Sequence, residues 1–149
     1  MTIMRSSLSY YKLKKKYKQV DKDFPITDNI TLVITRPFDW PALKRLYPPI
    51  HHTFFRTIEG DYGYQFCDWG NPNCPEEFGP KILPDNTKYL TTKDNWTYFL
   101  ITKDLGKTNC IRRTVFELYP KYTFSNEIEA ILWNVCNKFV EDVLKKCKV

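Results

Sequence analysis

The pattern of apolar and polar positions predicts a series of short β-strands followed by one long amphipathic helix. β-Branched and aromatic residues alternate with polar ones in several short runs, which is typical of strands with one buried face. Short turns join most of these runs and favour an antiparallel meander over βαβ units. We expect strands over 29–35, 51–58, 61–67, 87–92, 96–102 and 110–120.

Two helices complete the predicted fold. A short one lies near 39–47, where Asp39 suits the cap, Pro41 suits the first turn and two prolines follow. The longer one begins at Ser125, has acidic residues in its first turns and ends in lysines, as the helix dipole favours. The predicted fold class is therefore α+β, with a curved antiparallel sheet of about six strands packed on a long C-terminal helix.

The apolar arc of the C-terminal helix is wider than a single contact surface requires. At about 100° per residue its apolar side chains cover more than half of the circumference. We expect the sheet on one side and a second surface, a bound ligand or a partner subunit on the other. The residues of this arc are Ile128, Ile131, Leu132, Val135, Cys136, Phe139, Val140, Val143, Leu144 and Cys147.

The positive charge is concentrated at the beginning of the chain. The net charge is +6, and residues 1–24 contain seven basic and two acidic side chains. We therefore divide the chain into a basic N-terminal arm over 1–24 and a single α+β domain over 25–149. Three tyrosines are interleaved with the lysines of this arm.

Three interpretations of the arm stay open. It is a solvated extension, a mitochondrial presequence, or a contact for nucleic acid or another anionic surface. In the last case phosphates attract the ammonium groups and exposed rings stack on bases. The lysines for such a contact are Lys12, Lys14, Lys15, Lys16 and Lys18.

The cysteines raise the question of a metal or a disulfide. In "QFCDWGNPNCPEEFGP", Cys67 and Cys74 bracket a turn rich in glycine and proline, at a spacing wider than that of zinc ribbons or fingers. His51 and His52 are adjacent and point to opposite sides of any strand, so that one of them could join a metal site with Cys110. The alternatives are such a site, a loop disulfide, and unpaired thiols on a rigid bend, of which we favour the last.

The cysteine count also bears on location. The chain has five cysteines, an odd number, and its N-terminus lacks the apolar segment of a secretory signal. These features favour reduced thiols and an intracellular protein, either cytoplasmic or mitochondrial. No run of 18 apolar residues is present, so that we expect no transmembrane helix.

No catalytic signature stands out. Glycine-rich nucleotide loops are absent, and no carboxylates or cysteine–histidine pairs occur at a spacing that would force them together. For Arg112 and Arg113 an exposed strand face is favoured over an anion contact. We expect a non-catalytic binding protein without a cofactor.

The order of elements from residue 29 resembles the helix-grip fold of the START and Bet v 1-like superfamily, including its polyketide-cyclase and coenzyme-Q-binding branch. The nearest likeness is "TNCIRRTVFELYPKYTFSNEIEAILWNVCNKFVEDVLKKC", where the predicted long strand leads into the wide-faced helix. The resemblance implies an apolar cavity between sheet and helix that holds a lipid, a quinone or another hydrophobic small molecule. The residues facing this cavity would be Leu132, Cys136, Phe139 and Val143, with Phe116 and Leu118 opposite.

Two functions follow from these features. The first is a protein that holds a hydrophobic small molecule or lipid between its sheet and its C-terminal helix. The alternative is an interaction protein that contacts RNA, a ribonucleoprotein or an anionic surface through its basic arm and docks a protein partner on the C-terminal helix. Salt separates the two, because binding to phosphates weakens steeply as the salt concentration rises.

Overall fold

The structure is a computed structural model that describes residues 10–37, 51–63, 81–83, 96–118, 121 and 135–149. Within these ranges the helices are α1 (Tyr10–Lys16), α2 (Leu105–Leu118) and α3 (Val135–Lys146). The strands are β1 (Lys18–Val20), β2 (Thr31–Pro37), β3 (His51–Thr57), β4 (Gly60–Gly63), β5 (Lys81–Leu83) and β6 (Thr97–Thr102). Of the helices in the described ranges, none has the length and apolar character needed to cross a membrane.

The strands form an antiparallel sheet in the order β1-β6-β2-β3-β4-β5. β2 lies at its centre, where Val33 is paired with Phe55 of β3 and with Phe99 of β6. Because directly paired residues point to the same face, these three side chains form one row across the sheet. The predicted α+β class and the antiparallel arrangement are confirmed.

The individual strands agree only in part with the prediction. The expected strands over 29–35, 51–58, 61–67 and 96–102 correspond to β2, β3, β4 and β6, whereas β1 and β5 were not expected. The expected strand over 87–92 and the short helix near 39–47 lie outside the described residues, as does the beginning of the C-terminal helix before Val135. The strand predicted over 110–120 is wrong, because α2 occupies residues up to Leu118.

Local capping and burial explain why α2 is a helix. A side-chain oxygen of Asp104 accepts a hydrogen bond from the N–H of Lys107 at 2.9 Å, which caps the first turn. The buried residues Thr108, Ile111 and Val115 recur at intervals of three and four, so that one face of the helix enters the core. Their β-branched side chains favour a strand locally, but the cap and the packing outweigh this weak preference.

The main core lies between the sheet and the three helices. The sheet contributes the row of Val33, Phe55 and Phe99, each fully buried. All three helices add apolar side chains to the same cluster, namely Leu13, Ile111, Val115, Phe139, Val140, Val143 and Leu144. Because each helix covers part of one sheet face, the cluster joins α1, α2 and α3 into one folded unit.

The opposite face of the sheet carries a second apolar cluster. Its buried residues are Ile30, Leu32, Ile34, Phe54, Trp96 and Tyr98. An ion pair also lies on this face, where the guanidinium of Arg56 donates to both carboxylate oxygens of Asp61 at 2.7 and 3.0 Å. Burial raises the pKa of the Tyr98 hydroxyl, and Arg56 acts in the opposite direction. The ion pair satisfies its own charges and links β3 to β4.

The basic segment is part of the folded domain from Tyr10 onward. Leu13 of α1 is only 1% exposed in the main core, and Tyr10 and Tyr17 pack against the same cluster. β1 then pairs with β6 at the edge of the sheet. The segment predicted as an arm over 1–24 therefore supplies a helix and a strand to the domain. The apolar spacing of Tyr10, Leu13 and Tyr17 is the signal that the many lysines obscure.

Candidate anion-binding face

The end of α3 is the place where all three helices meet. The ammonium group of Lys16, at the end of α1, donates to the main-chain carbonyl of Val149 at 2.9 Å. The hydroxyl of Tyr17 donates to the same carbonyl at 3.1 Å. From α2, the ammonium group of Lys107 donates to the carbonyl of Lys148 at 2.9 Å. Two ammonium groups from distant parts of the chain thus converge on consecutive carbonyl groups.

The backbone at this point forms a Schellman motif. The N–H of Lys148 bonds to the carbonyl of Lys145 at 3.2 Å, and the N–H of Val149 bonds to the carbonyl of Leu144 at 3.0 Å. Lys148 has a φ of 55°, in the left-handed region where glycine is usual. Val149 packs against the main core beside Leu144. The motif ends α3 and leaves the side chain of Lys148 exposed.

Helical geometry places further lysines on the same side of α1. At about 100° per residue, Lys12, Lys15 and Lys16 fall within an arc of about 100°. All three are exposed, whereas Leu13 is buried. We call Lys12, Lys15 and Lys16, together with Lys107 and Lys148, the basic face.

Two of the lysines predicted from the sequence lie elsewhere. Lys14 is on the other side of Leu13, with its ammonium group 5.8 Å from the centre of the Tyr10 ring. Lys18 is paired with Leu100 of β6, whose side chain packs on the second apolar cluster. Lys18 therefore lies on the sheet face opposite to the helices. The structure brings together Lys12, Lys15 and Lys16 but not the other two.

The basic face also contains two residues that the sequence analysis missed. Lys107 and Lys148 are far from the basic segment in sequence, and only the packing of the helices brings them beside it. A local signal exists for Lys148, since lysines are common at the end of a helix. No local signal connects either residue to Lys16.

Carboxylates neutralise the two lysines in the last turn of α3. Lys145 pairs with Glu141 at 3.2 Å, and Lys146 pairs with Glu117 of α2 at 3.1 Å. Both lysines therefore have a carboxylate partner, and we leave them out of the basic face.

Three of the five charges of the basic face are not balanced in this way, namely those of Lys15, Lys107 and Lys148. Among the residues that the structure describes, Lys15, Lys107 and Lys148 make no ion pair with a carboxylate. Lys107 bonds to the carbonyl group of Lys148, which carries no net charge. The carboxylate of Asp104 is close in sequence but caps α2. These three ammonium groups therefore keep their charge and have donors for an external anion.

A disulfide fixes the end of α3 to α2 next to this face. Cys110 and Cys147 are bonded, with their Cα atoms 5.8 Å apart, and Cys147 directly precedes Lys148. The predicted reduced state is thus wrong for these two cysteines. The reason is that residue 110 lies on a helix packed beside α3, and not on a strand of the sheet. Cys67 and Cys74, the other pair weighed above, lie outside the described residues.

The wide apolar arc of α3 is explained by α2. Phe139 and Val143 are fully buried in the cluster that also contains Ile111 and Val115 of α2 and the buried row of the sheet. The sheet covers one side of α3 and α2 covers another. This second surface was one of the alternatives, and it accounts for the described part of the arc, from Cys136 onward, whereas Ile128, Ile131 and Leu132 lie outside the described residues.

The remaining residues predicted for a hydrophobic ligand are dispersed. Phe116 is 48% exposed and touches the edge of the Tyr62 ring, with the ring centres 6.2 Å apart. Leu118 packs at the margin of the main core, and Cys136 is buried. Leu132 lies outside the described residues. The hydrophobic-ligand function stays a prediction, but the width of the arc no longer supports it.

The metal-site hypothesis gains no support from the described residues. His51 and His52 follow each other at the start of β3, paired with Pro37 and Arg36 of β2. Within the described part of the chain, no group of three histidine, cysteine or acidic residues is arranged to hold a metal ion.

No protein-family model, curated protein or solved structure matched the chain when it was compared with known proteins. The resemblance to the helix-grip superfamily stays a prediction. The strand that formed the first half of that likeness is α2.

Proposed function

We propose that this protein is a non-catalytic binding protein that contacts a polyanion through its basic face. The observation that carries the proposal is the convergence of Lys16 and Lys107 on consecutive carbonyl groups beside the exposed Lys148. Three helices thereby present ammonium groups in one place.

The fixed arrangement favours binding. Lysines on a flexible tail lose conformational freedom when they meet an anion, and this loss reduces the affinity. On the basic face, the buried Leu13 anchors α1, and the disulfide anchors the end of α3. Part of the ordering has therefore taken place before the anion arrives.

Counterion release gives the interaction a characteristic salt dependence. Contact with about four anionic groups of a flexible single-stranded polyanion predicts a slope of about −3 for the logarithm of the association constant against that of the salt concentration. A cavity that binds an apolar molecule predicts almost no slope, because burial of apolar surface does not release counterions.

The test compares two double variants with the same change in net charge. Lys15→Glu with Lys148→Glu reverses two charges of the basic face, whereas Lys18→Glu with Lys22→Glu reverses two exposed charges outside it. The probes are an oligouridylate, heparin and vesicles containing phosphatidylserine, each titrated at moderate salt. We expect the first variant to bind at least about tenfold more weakly than the wild type, and the second to stay within about twofold.

Two results would overturn the proposal. Equal weakening by both variants would show that only net charge matters. If the wild-type protein bound none of the three probes, the proposal that it contacts a polyanion would be wrong. Circular dichroism of both variants checks that the fold is intact.

A further inference from the structure

We infer that the polyanion is a linear sulfated polysaccharide met in an oxidising compartment. This inference rests on the proposed function and specifies its partner. It combines the disulfide beside the basic face, the chemistry of the cations on that face, and the surroundings of the nearby aromatic rings.

The disulfide indicates the compartment. Cys110 and Cys147 join α2 to the end of α3, and Lys148 follows directly. Disulfides persist in secreted and other extracytoplasmic proteins, whereas thiols in the cytosol are kept reduced. The disulfide holds the basic face in this conformation, and we therefore expect this conformation in an oxidising environment.

That environment narrows the choice of partner. Anionic phospholipids give the cytoplasmic leaflet its negative surface potential, and RNA is likewise a cytosolic and nuclear polymer. Outside the cell, the abundant linear polyanions are polysaccharides that carry sulfate and uronate groups. Clusters of lysine are a known recognition feature for heparin as well as for nucleic acid.

The cations of the face fit sulfate groups presented as separate point charges. All five are ammonium groups, each with a mobile set of donors. The guanidinium groups of α2 are engaged elsewhere, since Arg112 pairs with Glu59 at 3.1 Å and Arg113 lies 4.0 Å from Glu117. Among the described residues, bidentate guanidinium contacts, which are frequent in nucleic-acid recognition, are therefore not a feature of this face.

The nearby aromatic rings offer little for base stacking. Tyr10 packs edge-on against Phe99, and the Tyr17 hydroxyl is bonded to the carbonyl of Val149. Tyr11 is 75% exposed and is the ring of α1 that remains accessible for stacking. Proteins that bind single-stranded nucleic acid stack successive bases on several rings. A single accessible ring among the described residues of this region favours a partner that is held by charge alone.

The test uses the oxidised wild-type protein, with the Cys110–Cys147 bond verified by peptide mapping. Four probes are titrated at the same moderate salt concentration: a heparin oligosaccharide, an unsulfated hyaluronan oligosaccharide, an oligouridylate of matched charge, and phosphatidylserine vesicles. We expect the heparin oligosaccharide to bind at least about tenfold more tightly than each of the others. Tyr11→Ala should leave its dissociation constant within about twofold of the wild-type value.

Each contrary outcome has a distinct meaning. If the oligouridylate bound more tightly than the heparin oligosaccharide, and Tyr11→Ala weakened this binding, the partner would be RNA and not a polysaccharide. The proposed function would then still hold. Tighter binding of the vesicles would replace it by a membrane surface. Equal affinity for hyaluronan and heparin would contradict recognition of sulfate. Failure of all four probes would overturn the proposed function together with the inference.

Discussion

Lys148 combines an unfavourable backbone conformation with an exposed charge. Its φ of 55° is in the left-handed region, which residues with a Cβ atom rarely adopt. Glycine avoids this cost, although it loses more entropy on folding. A lysine at this position fits a residue that contributes to binding, because strained backbone positions are often functional.

Replacement of this lysine by glycine should separate stability from binding. We expect Lys148→Gly to raise the free energy of unfolding by about 0.5–1 kcal/mol, because the left-handed conformation no longer meets a Cβ atom. Binding of heparin should weaken at the same time, since one charge is lost. Urea unfolding measures the first effect and titration measures the second. Lys148→Ala is the matched control, since it removes the same charge and keeps the strain. Equal stability of the two variants would contradict this account.

At the scale of single residues, the sequence predicts the lysines of the basic segment but not the surface to which they belong. Lys12, Lys15 and Lys16 were identified from local composition, and so were Lys14 and Lys18, which lie elsewhere. Local sequence does not show which lysines share a surface, because that depends on helix phase and strand pairing. It also gives no indication that Lys107 approaches the carbonyl of Lys148.

At the scale of elements, α1 depends on tertiary contacts. A helix of seven residues is too short to be stable by itself in water. Leu13 anchors it in the main core with Tyr10 and Tyr17 on either side, and Lys16 bonds to the end of α3. Three lysines of the basic face therefore depend on these tertiary contacts for their position.

Truncation of this leucine should release α1. We expect Leu13→Ala to lower the free energy of unfolding by about 2–4 kcal/mol, through lost burial and a remaining cavity. Trypsin should then cleave earlier among Lys14, Lys15 and Lys16, because the helix opens locally more often. The measurements are urea unfolding and timed proteolysis, with Tyr11→Ala as an exposed control that keeps all three cleavage sites and changes stability by less than about 0.5 kcal/mol. An unchanged cleavage rate in Leu13→Ala would show that other contacts hold α1.

The helical structure of α2 could not be inferred from the alternation of apolar and polar residues, which suggested a strand. Thr114, Phe116 and Leu118 are spaced as on a strand, and two of them lie inward while Phe116 is 48% exposed. The competing signals were Asp104 as a cap and the spacing of Ile111 and Val115. Because residues 110–120 were predicted to be a strand of the sheet, the sequence analysis did not recognise that they cover the second side of the C-terminal helix.

At the scale of the whole molecule, the Cys110–Cys147 bond closes a loop between residues that are 37 positions apart. In the chain-entropy description, such a bond restricts the unfolded chain and stabilises the fold by about 2–4 kcal/mol. It also keeps Lys148 beside Lys107 when the ends of the helices fluctuate.

Removal of this bond should lower both stability and affinity. We expect the free energy of unfolding of the double variant Cys110→Ala with Cys147→Ala to be about 2–4 kcal/mol lower than that of the oxidised wild type. The variant should bind heparin more weakly even under conditions where it is fully folded. The wild-type protein in a dithiol reductant is the control, and its stability should resemble that of the variant. A variant as stable as the oxidised protein would show that the bond does not constrain this region.

The overall class of the fold was accessible from the sequence, whereas the basic face was not. Short runs rich in β-branched and aromatic residues identified β2, β3 and β6, because each of them lies within a sheet with buried side chains on both faces. β1 was missed because its three residues contain two exposed polar side chains and lie at the sheet edge. The basic face depends on contacts between segments that are distant in sequence, and such contacts leave no periodic pattern.

The most direct test of the central claim is the salt dependence of heparin binding. The wild type, Lys15→Ala with Lys148→Ala, and Lys18→Ala with Lys22→Ala are titrated over the same range of salt concentrations. If the basic face is the binding surface, the first variant loses about 0.7–0.9 from the magnitude of the slope for each lysine removed, as found for contacts to nucleic-acid phosphates. The second variant keeps the wild-type slope. An unchanged slope in the first variant, or an equal loss in both, would contradict the claim that these lysines act as one anion-binding surface.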